Sequence, residues 1–476
     1  MRFLIRALLF LLVIGGLGLA VAYFAAPTFI AAPAIEIKTP DKYLGQSTPL
    51  EFFVNGPSNE LSKVEATLEQ EGQTATVFSL DPAQAGDAQV KQESADRMWI
   101  IRRIGKQNLP NLKAGKATLT ITAARPALYG LTEVSSTEKR DLEVRLEQPR
   151  VAVLSLHHFV NHGGAEFVVF RATPPDVEAG VRVGDRTYRS FPGSSVGMTD
   201  PALRVAFFVL GYDQDRNAPI SVFARDVASN EVTAALEHRV FPKPFAKSDI
   251  PIDDAFMAKV VPAIAQNSPG AGIPTDNLLE GFLKINRDLR KVNNDAIYKL
   301  REKTKPELLF VEAFALGNTN VEARFADFRT YYYNKKEIDR QVHLGFDLAT
   351  LAQAPVPAAN RGIVIYANDL GIYGNAVVLD HGLGVQSLYG HMSIVDVKEG
   401  DTVEKGQTLG RTGTTGLAGG DHLHFTMIVD GVMVNPVEWW DPHWLEDRVF
   451  RKIRDAGGKA PGGKPTAAAA TNATPR

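Results

Sequence analysis

Apolar and polar residues alternate in short runs along most of this chain. From Ile35 to about Gln148, "EFFVNG", "RMWIIRRI" and "KATLTITAA" are separated by clusters of Gly, Pro, Asn and Asp. Alternation of period two places every second side chain on one face, so each run predicts a half-buried strand. Turn clusters at regular spacing predict a sandwich. The runs "VAVLSL", "AEFVVFRA", "RVAFFVLGYD" and "PISVFARDVASNEVTAALEHRVF" continue the pattern to "PKPF" near Phe245. The two sets share a strand, turn, strand plan, which predicts two immunoglobulin-like β-sandwich modules over 33–148 and 149–245.

The period then changes. Leu278, Phe282, Ile285, Leu289 and Val292 recur at steps of three and four residues behind Thr275 and Asp276, which suit a helix cap. The expectation is a helical connector over 246–324 whose apolar stripe faces a core. Alternation returns in "GIVIYAND", "YGNAVVLDHG", "GVQSLYGHM" and "HLHFTMIVDG", short strands joined by glycine-rich turns. They predict a compact antiparallel β domain over 325–445. The tail, 446–476, lacks apolar periodicity towards its end and is expected to be disordered from about residue 456. The overall expectation is a mainly β chain.

One segment departs from all these patterns. Behind Arg2 and Arg6, residues Ala7 to Ala26 are uncharged and end at Pro27. Twenty helical residues at ~1.5 Å rise span ~30 Å, one hydrocarbon thickness. An N-terminal transmembrane signal anchor within 1–32 is expected, its arginines cytoplasmic and the bulk of the chain on the extracytoplasmic side of the cell membrane.

Composition narrows the chemistry. A chain of 476 residues exceeds one ordinary core. Its net charge of −2 provides no basic field for nucleic acid. With no cysteine, thiolate metal sites, cysteine nucleophiles and disulfides are excluded, so any metal must be held by His, Asp or Glu. Such residues gather in one region: His343 and Asp347 in "HLGFD", His391 in "LYGHMS", and His422 and His424 in "GGDHLHF". On a strand, His422 and His424 share a face with Cα atoms ~6.6 Å apart, so two rings can serve one site. His343 and Asp347 would lie ~13 Å apart on a straight strand, so the chain must bend between them, and Gly345 permits it. Two imidazoles and a carboxylate suit Zn²⁺ with one open position. The spacing leaves open which of His422 and His424 is the ligand. His157, His158 and His162 lack a matching carboxylate pattern and read as surface or core residues; His381 reads as structural.

In sequence, "HLGFD", "YGNAVVLDHG", "LYGHMS", "VKEGDTVEKGQ", "GTTG" and "HLHF" resemble the lysostaphin-type (LytM-domain) zinc metallopeptidases of bacterial cell walls, over roughly residues 325–444. Met392 stands where that family usually has Leu. The resemblance implies that His343, Asp347 and His424 bind one Zn²⁺ per chain. His391 and His422 become unligated catalytic histidines, one handling the proton of a metal-activated water and the other the oxyanion. It implies a zinc-dependent endopeptidase hydrolysing peptide bonds in peptidoglycan stems or cross-links, the peptidoglycan peptide being its partner. The alternative is a non-catalytic scaffold or activator of cell-wall amidases; relatives of that kind have lost ligand residues that this chain keeps.

Overall fold

The computed structural model describes residues 13–14, 31–56, 60–81, 86–127, 130, 132–317 and 319–461. Apart from Val13 and Ile14, the span expected over 7–26 lies outside the described residues. Among the described residues no helix is long and apolar enough to cross a membrane. The mainly β expectation is met. The chain divides into two compact units, one of residues up to 149 with 225–232, the other of 150–224 with the chain from 233 onward.

In the first unit, four strands (Ala34–Thr39, Thr48–Asn55, Arg97–Ile104, Gln89–Ser94) form one sheet, and five form another. Alternation works as the pattern requires: Leu50, Phe52 and Val54 of the first sheet and Val64, Ala66, Leu119 and Ile121 of the second share one core. Residues 225–232 belong to this unit through specific bonds. Thr48 Oγ1 donates to the Ala228 carbonyl at 2.8 Å, and Asn230 Nδ2 to the Arg145 carbonyl at 2.9 Å.

The second unit opens with β structure and closes with the domain that carries the candidate chemistry. Strand Leu203–Leu210 pairs with Gly164–Thr173 and presents Phe207, which packs against Trp439 at 5.7 Å between ring centroids. Trp439 is fully buried and also meets Phe310, Phe314 and Trp444. Aromatic rings contribute the most burial per residue, so this cluster is a principal apolar link between the early strands and the C-terminal domain.

The connector begins as a strand, Lys247–Ile252, parallel to Asp327–Tyr333. Helix Asp254–Asn267 follows, then a long helix that starts at Leu278. The cap of that helix is Asn277, whose Oδ1 accepts from the Glu280 N–H at 3.2 Å, rather than Thr275 or Asp276. Its apolar stripe also departs from expectation. Phe282, Ile285 and Leu289 are buried, whereas Val292 is 60 % exposed. A π turn at Ile285–Leu289 is the reason. It accommodates an extra residue and rotates the following turns, so that Asn293 and Ile297 face inward instead.

An eight-stranded antiparallel sheet forms the C-terminal domain, with Phe346–Ala349, Leu423–Val429, Val385–Met392, Asn375–Asp380 and Gly362–Asp369 as successive neighbours. Ordered chain continues past 445. A helix runs from Pro442 through a π turn to Asp455. It buries Val449, Phe450 and Ile453, and Lys452 Nζ lies 2.9 Å from Glu166 Oε1. Expected disorder from about 456 falls mainly on residues 462–476, outside the described ones.

Candidate metal centre

Pairing register assembles the site. Asp347 lies opposite His424, and His424 lies opposite Gly390 on its other side. Directly opposed residues of an antiparallel pair project to the same face. His343 ends the preceding strand, the chain bends at Gly345, and Asp347 returns beneath the imidazole. Gly345 also makes room for a ring, because a Cβ there would lie 2.5 Å from His424 Cε1. Any side chain would displace that imidazole.

Three donor atoms converge. His343 Nε2 is 2.9 Å from Asp347 Oδ1, His424 Nδ1 is 3.1 Å from the same oxygen, and the two nitrogens are 3.1 Å apart. A tetrahedral Zn²⁺ with ligands at about 2.0–2.2 Å sets its ligand atoms roughly 3.3–3.6 Å apart, so a small outward shift of these donors fits the ion. His343, Asp347 and His424 are a buried group that could hold a metal ion. His422 Nε2 stands slightly farther from Asp347 Oδ1, at 3.5 Å.

His391 and His422 flank this group, their rings 4.8 Å apart. Each is oriented through Nδ1, which is 2.8 Å from the Thr415 carbonyl in His391 and 2.9 Å from the Gly420 carbonyl in His422. A nitrogen this close to a carbonyl oxygen carries the proton, which leaves Nε2 of the neutral His391 ring as an acceptor. For His422, burial opposes a second proton, but Asp347 and the Gly420 carbonyl outweigh it and raise the pKa. His391 holds a left-handed backbone, φ +62°, a conformation costing about 1 kcal/mol or more and common where a functional side chain is aimed. Burial, then the neighbouring His422 and His424, keeps its pKa well below the ordinary value. Burial likewise lowers His424 to about 4. For Asp347, burial opposes ionisation, but His343 and then His422 and His424 outweigh it and hold the carboxyl well below its usual range.

Sequence reasoning missed Arg329. Its Nη2 donates to Asp347 Oδ2 at 3.0 Å and its Nε to Asp327 Oδ2 at 3.2 Å, while Ser248 Oγ donates to Asp327 Oδ1 at 2.8 Å. The signal lay in "FADFRTYYY" at the margin of the domain, but only tertiary contact reveals what it holds. The histidines set aside stay aside. His381 is buried between the Arg361 carbonyl and Ser387 Oγ. His158 is buried against Ser155 Oγ and the Glu237 carbonyl. Among the described residues, neither joins a metal-holding group.

Beside the metal group lies a cavity of about 310 Å³, walled by His391, His422, Tyr373 and Leu417 and, from the connector, by Ile250, Phe256, Phe282 and Arg290. The connector thus borders the groove without filling it.

An antiparallel sheet that brings two imidazoles and a carboxylate together beside an open cleft defines a candidate metal-dependent enzyme domain. Residues 341–436 match Peptidase family M23, and the C-terminal part of this chain is a domain of that family. Over 97 residues the chain is 39 % identical to the DD-carboxypeptidase/endopeptidase Mpg of Neisseria meningitidis, covering 20 % of this chain and 22 % of that protein. Over 96 residues it is 38 % identical to the peptidoglycan DD-endopeptidase ShyA of Vibrio cholerae, with the same shares. The matched segment therefore spans about a fifth of the length of these curated relatives. The catalytic domain of lysostaphin from Staphylococcus simulans is 23 % identical, with 30 % of this chain and 96 % of that one covered, but its TM-score is 0.20.

Proposed function

We propose that this protein is a zinc-dependent endopeptidase that hydrolyses peptide bonds in peptidoglycan stems or cross-links. The observation that carries the reading is the convergence of His343 Nε2, His424 Nδ1 and Asp347 Oδ1 within 3.1 Å of one another, with two further imidazoles alongside. In this reading His343, Asp347 and His424 hold one Zn²⁺. When bound, the ion supplies Lewis acidity and lowers the pKa of a coordinated water. His391, kept neutral with its Nδ1 proton on Thr415, accepts a proton at Nε2. His422, in its protonated form, donates from Nε2 to the developing oxyanion.

The peptidoglycan substrate follows the activities for which the relatives are named. An extracytoplasmic location is part of the proposal and rests on the uncharged segment 7–26 behind two arginines. The two β regions are read as sandwich modules that carry the peptidase domain away from the membrane.

The test compares residues 33–476 with the His424→Ala and His391→Ala variants, measuring zinc by elemental analysis and soluble fragments released from purified peptidoglycan. The parent is expected to hold about one zinc and to release fragments. His424→Ala should lose both, whereas His391→Ala should keep zinc and lose roughly 100-fold or more in rate. Zinc without cleavage on walls of several chemistries would favour the scaffold or amidase-activator alternative.

A further inference from the structure

Two guanidinium groups line the cavity beside the metal group, those of Arg290 and Arg329. They differ in one respect. Arg329 is committed, since Asp327 and Asp347 both pair with it. Arg290 is half-buried, and among the described residues it makes no ion pair. Of the two carboxylates that line the same cavity, Asp347 is held by Arg329 and Asp253 caps the helix Asp254–Asn267 by accepting from the Phe256 N–H at 2.8 Å.

Partial burial of a cation without a counter-charge costs free energy, and an anionic ligand would recover it. Here the side chain is also held in place. Arg290 Nε donates to the Asn286 carbonyl at 3.1 Å and Nη2 to Asn286 Oδ1 at 2.6 Å. Asn286 is itself anchored, its Nδ2 donating to Asp339 Oδ2 at 2.8 Å. Neither bond of Arg290 to Asn286 uses Nη1. The π turn at Ile285–Leu289 contains Asn286 and immediately precedes Arg290, so the feature that breaks the apolar stripe is also the one that sets this side chain at the cleft.

We infer that Arg290 is the specificity-determining residue of the cleft, and that the peptide it selects carries a free carboxylate close to the scissile bond. The inference rests on the peptidase reading and deepens it. A planar, permanently charged guanidinium matches a carboxylate with two parallel hydrogen bonds, which an amide cannot reproduce. A cavity of 310 Å³ is about 7 Å across, roughly two residues of extended chain. The carboxylate therefore belongs within two residues of the bond that is cut. Arg290 lies outside the segment matched to the peptidase family, residues 341–436, so this selection is supplied by the connector.

The test uses the zinc-loaded full chain carrying His391→Ala to block turnover, and two stem peptides identical except that carboxylates within two residues of the scissile bond are free in one and carboxamides in the other. Binding is measured by calorimetry. The parent should bind the free acid about tenfold more tightly, a difference of about 1.4 kcal/mol. Arg290→Gln should reduce the ratio to about one and Arg290→Lys should retain part of it, with zinc content unchanged in all. If Arg290→Gln fails to fold, as read by thermal unfolding, Arg290→Lys carries the test: its ratio must fall below that of the parent. Equal binding of both peptides by the parent, or a full ratio surviving either substitution, overturns the inference and leaves the peptidase reading standing. A parent that binds neither peptide, together with no release from peptidoglycan by the unsubstituted chain, removes both.

Discussion

Asp347 uses its two oxygens differently. Oδ1 faces His343, His422 and His424, while Oδ2 accepts from Arg329. A carboxylate whose second oxygen is occupied presents a single donor to a cation and does not swing to a two-oxygen grip. Arg329 is thus a positioning residue, steadied by Asp327 and, through it, by Ser248. Arg329→Ala is expected to weaken zinc binding about 10–100-fold, the usual consequence of removing a group that orients a ligand. Competition with a chromogenic chelator measures it, and an affinity equal to the parent's would show that Asp347 needs no such support. Arg329→Lys should fall between the two, because an ammonium keeps the charge but not the fork.

A π turn changes what a helix presents without changing its sequence pattern. The connector stripe holds through Leu289 and then shifts by one position, exposing Val292 and burying Ile297. The two positions should therefore respond oppositely to substitution. Val292→Asp is expected to stay within about 0.5 kcal/mol of the parent, whereas Ile297→Ala should cost about 2–5 kcal/mol. Urea unfolding of the two variants decides between the shifted stripe and a regular one. A regular helix would make Val292→Asp the damaging change.

At the scale of the molecule, the peptidase domain is not a free-standing piece of the second unit. Trp439 is buried against Phe207 and Phe310, which lie outside 325–445. Excising 325–445 would expose this cluster, and the fragment should aggregate or unfold well below the temperature at which residues 33–476 do. A thermal melt of both pieces checks this. A polar contact crosses the same region. Glu438 accepts from the Ala165 N–H at 2.8 Å and from Asn161 Nδ2. Burial, only partly offset by these donors, pushes its pKa up to about 7 from an ordinary 4.5. Between those two values the folded chain keeps the proton that the unfolded chain releases. This contribution to stability is full below about pH 4.5 and is lost as pH rises to about 7, a change of order 3 kcal/mol. Glu438→Gln should remove that slope. Unfolding free energies of parent and variant at the same series of pH values isolate it from His158, His381, His391 and His424, whose lowered pKa values act in the opposite direction. Parallel curves would show that Glu438 titrates alike in both states.

The legible part of this protein is what repeats locally or carries a chemical signature. Alternation of period two marks the strands because burial on one face is a property of neighbours along the chain. His343, Asp347, His391, His422 and His424 stand out because few residue types hold a metal and the order of their motifs is specific. The bend at Gly345 is legible too; the room that this glycine leaves for the His424 ring is not, since that ring arrives from a strand almost eighty positions later. The same reason explains the rest. The contact of Arg329 with Asp347, the shifted stripe that brings Arg290 to the cleft, the short helix that buries Val449, Phe450 and Ile453, and the seat of Trp439 all depend on which distant segments meet. Local sequence determined the elements and the candidate ligands. Only tertiary structure decided which charges are paired, because pairing depends on distances between residues that the order of the chain does not specify.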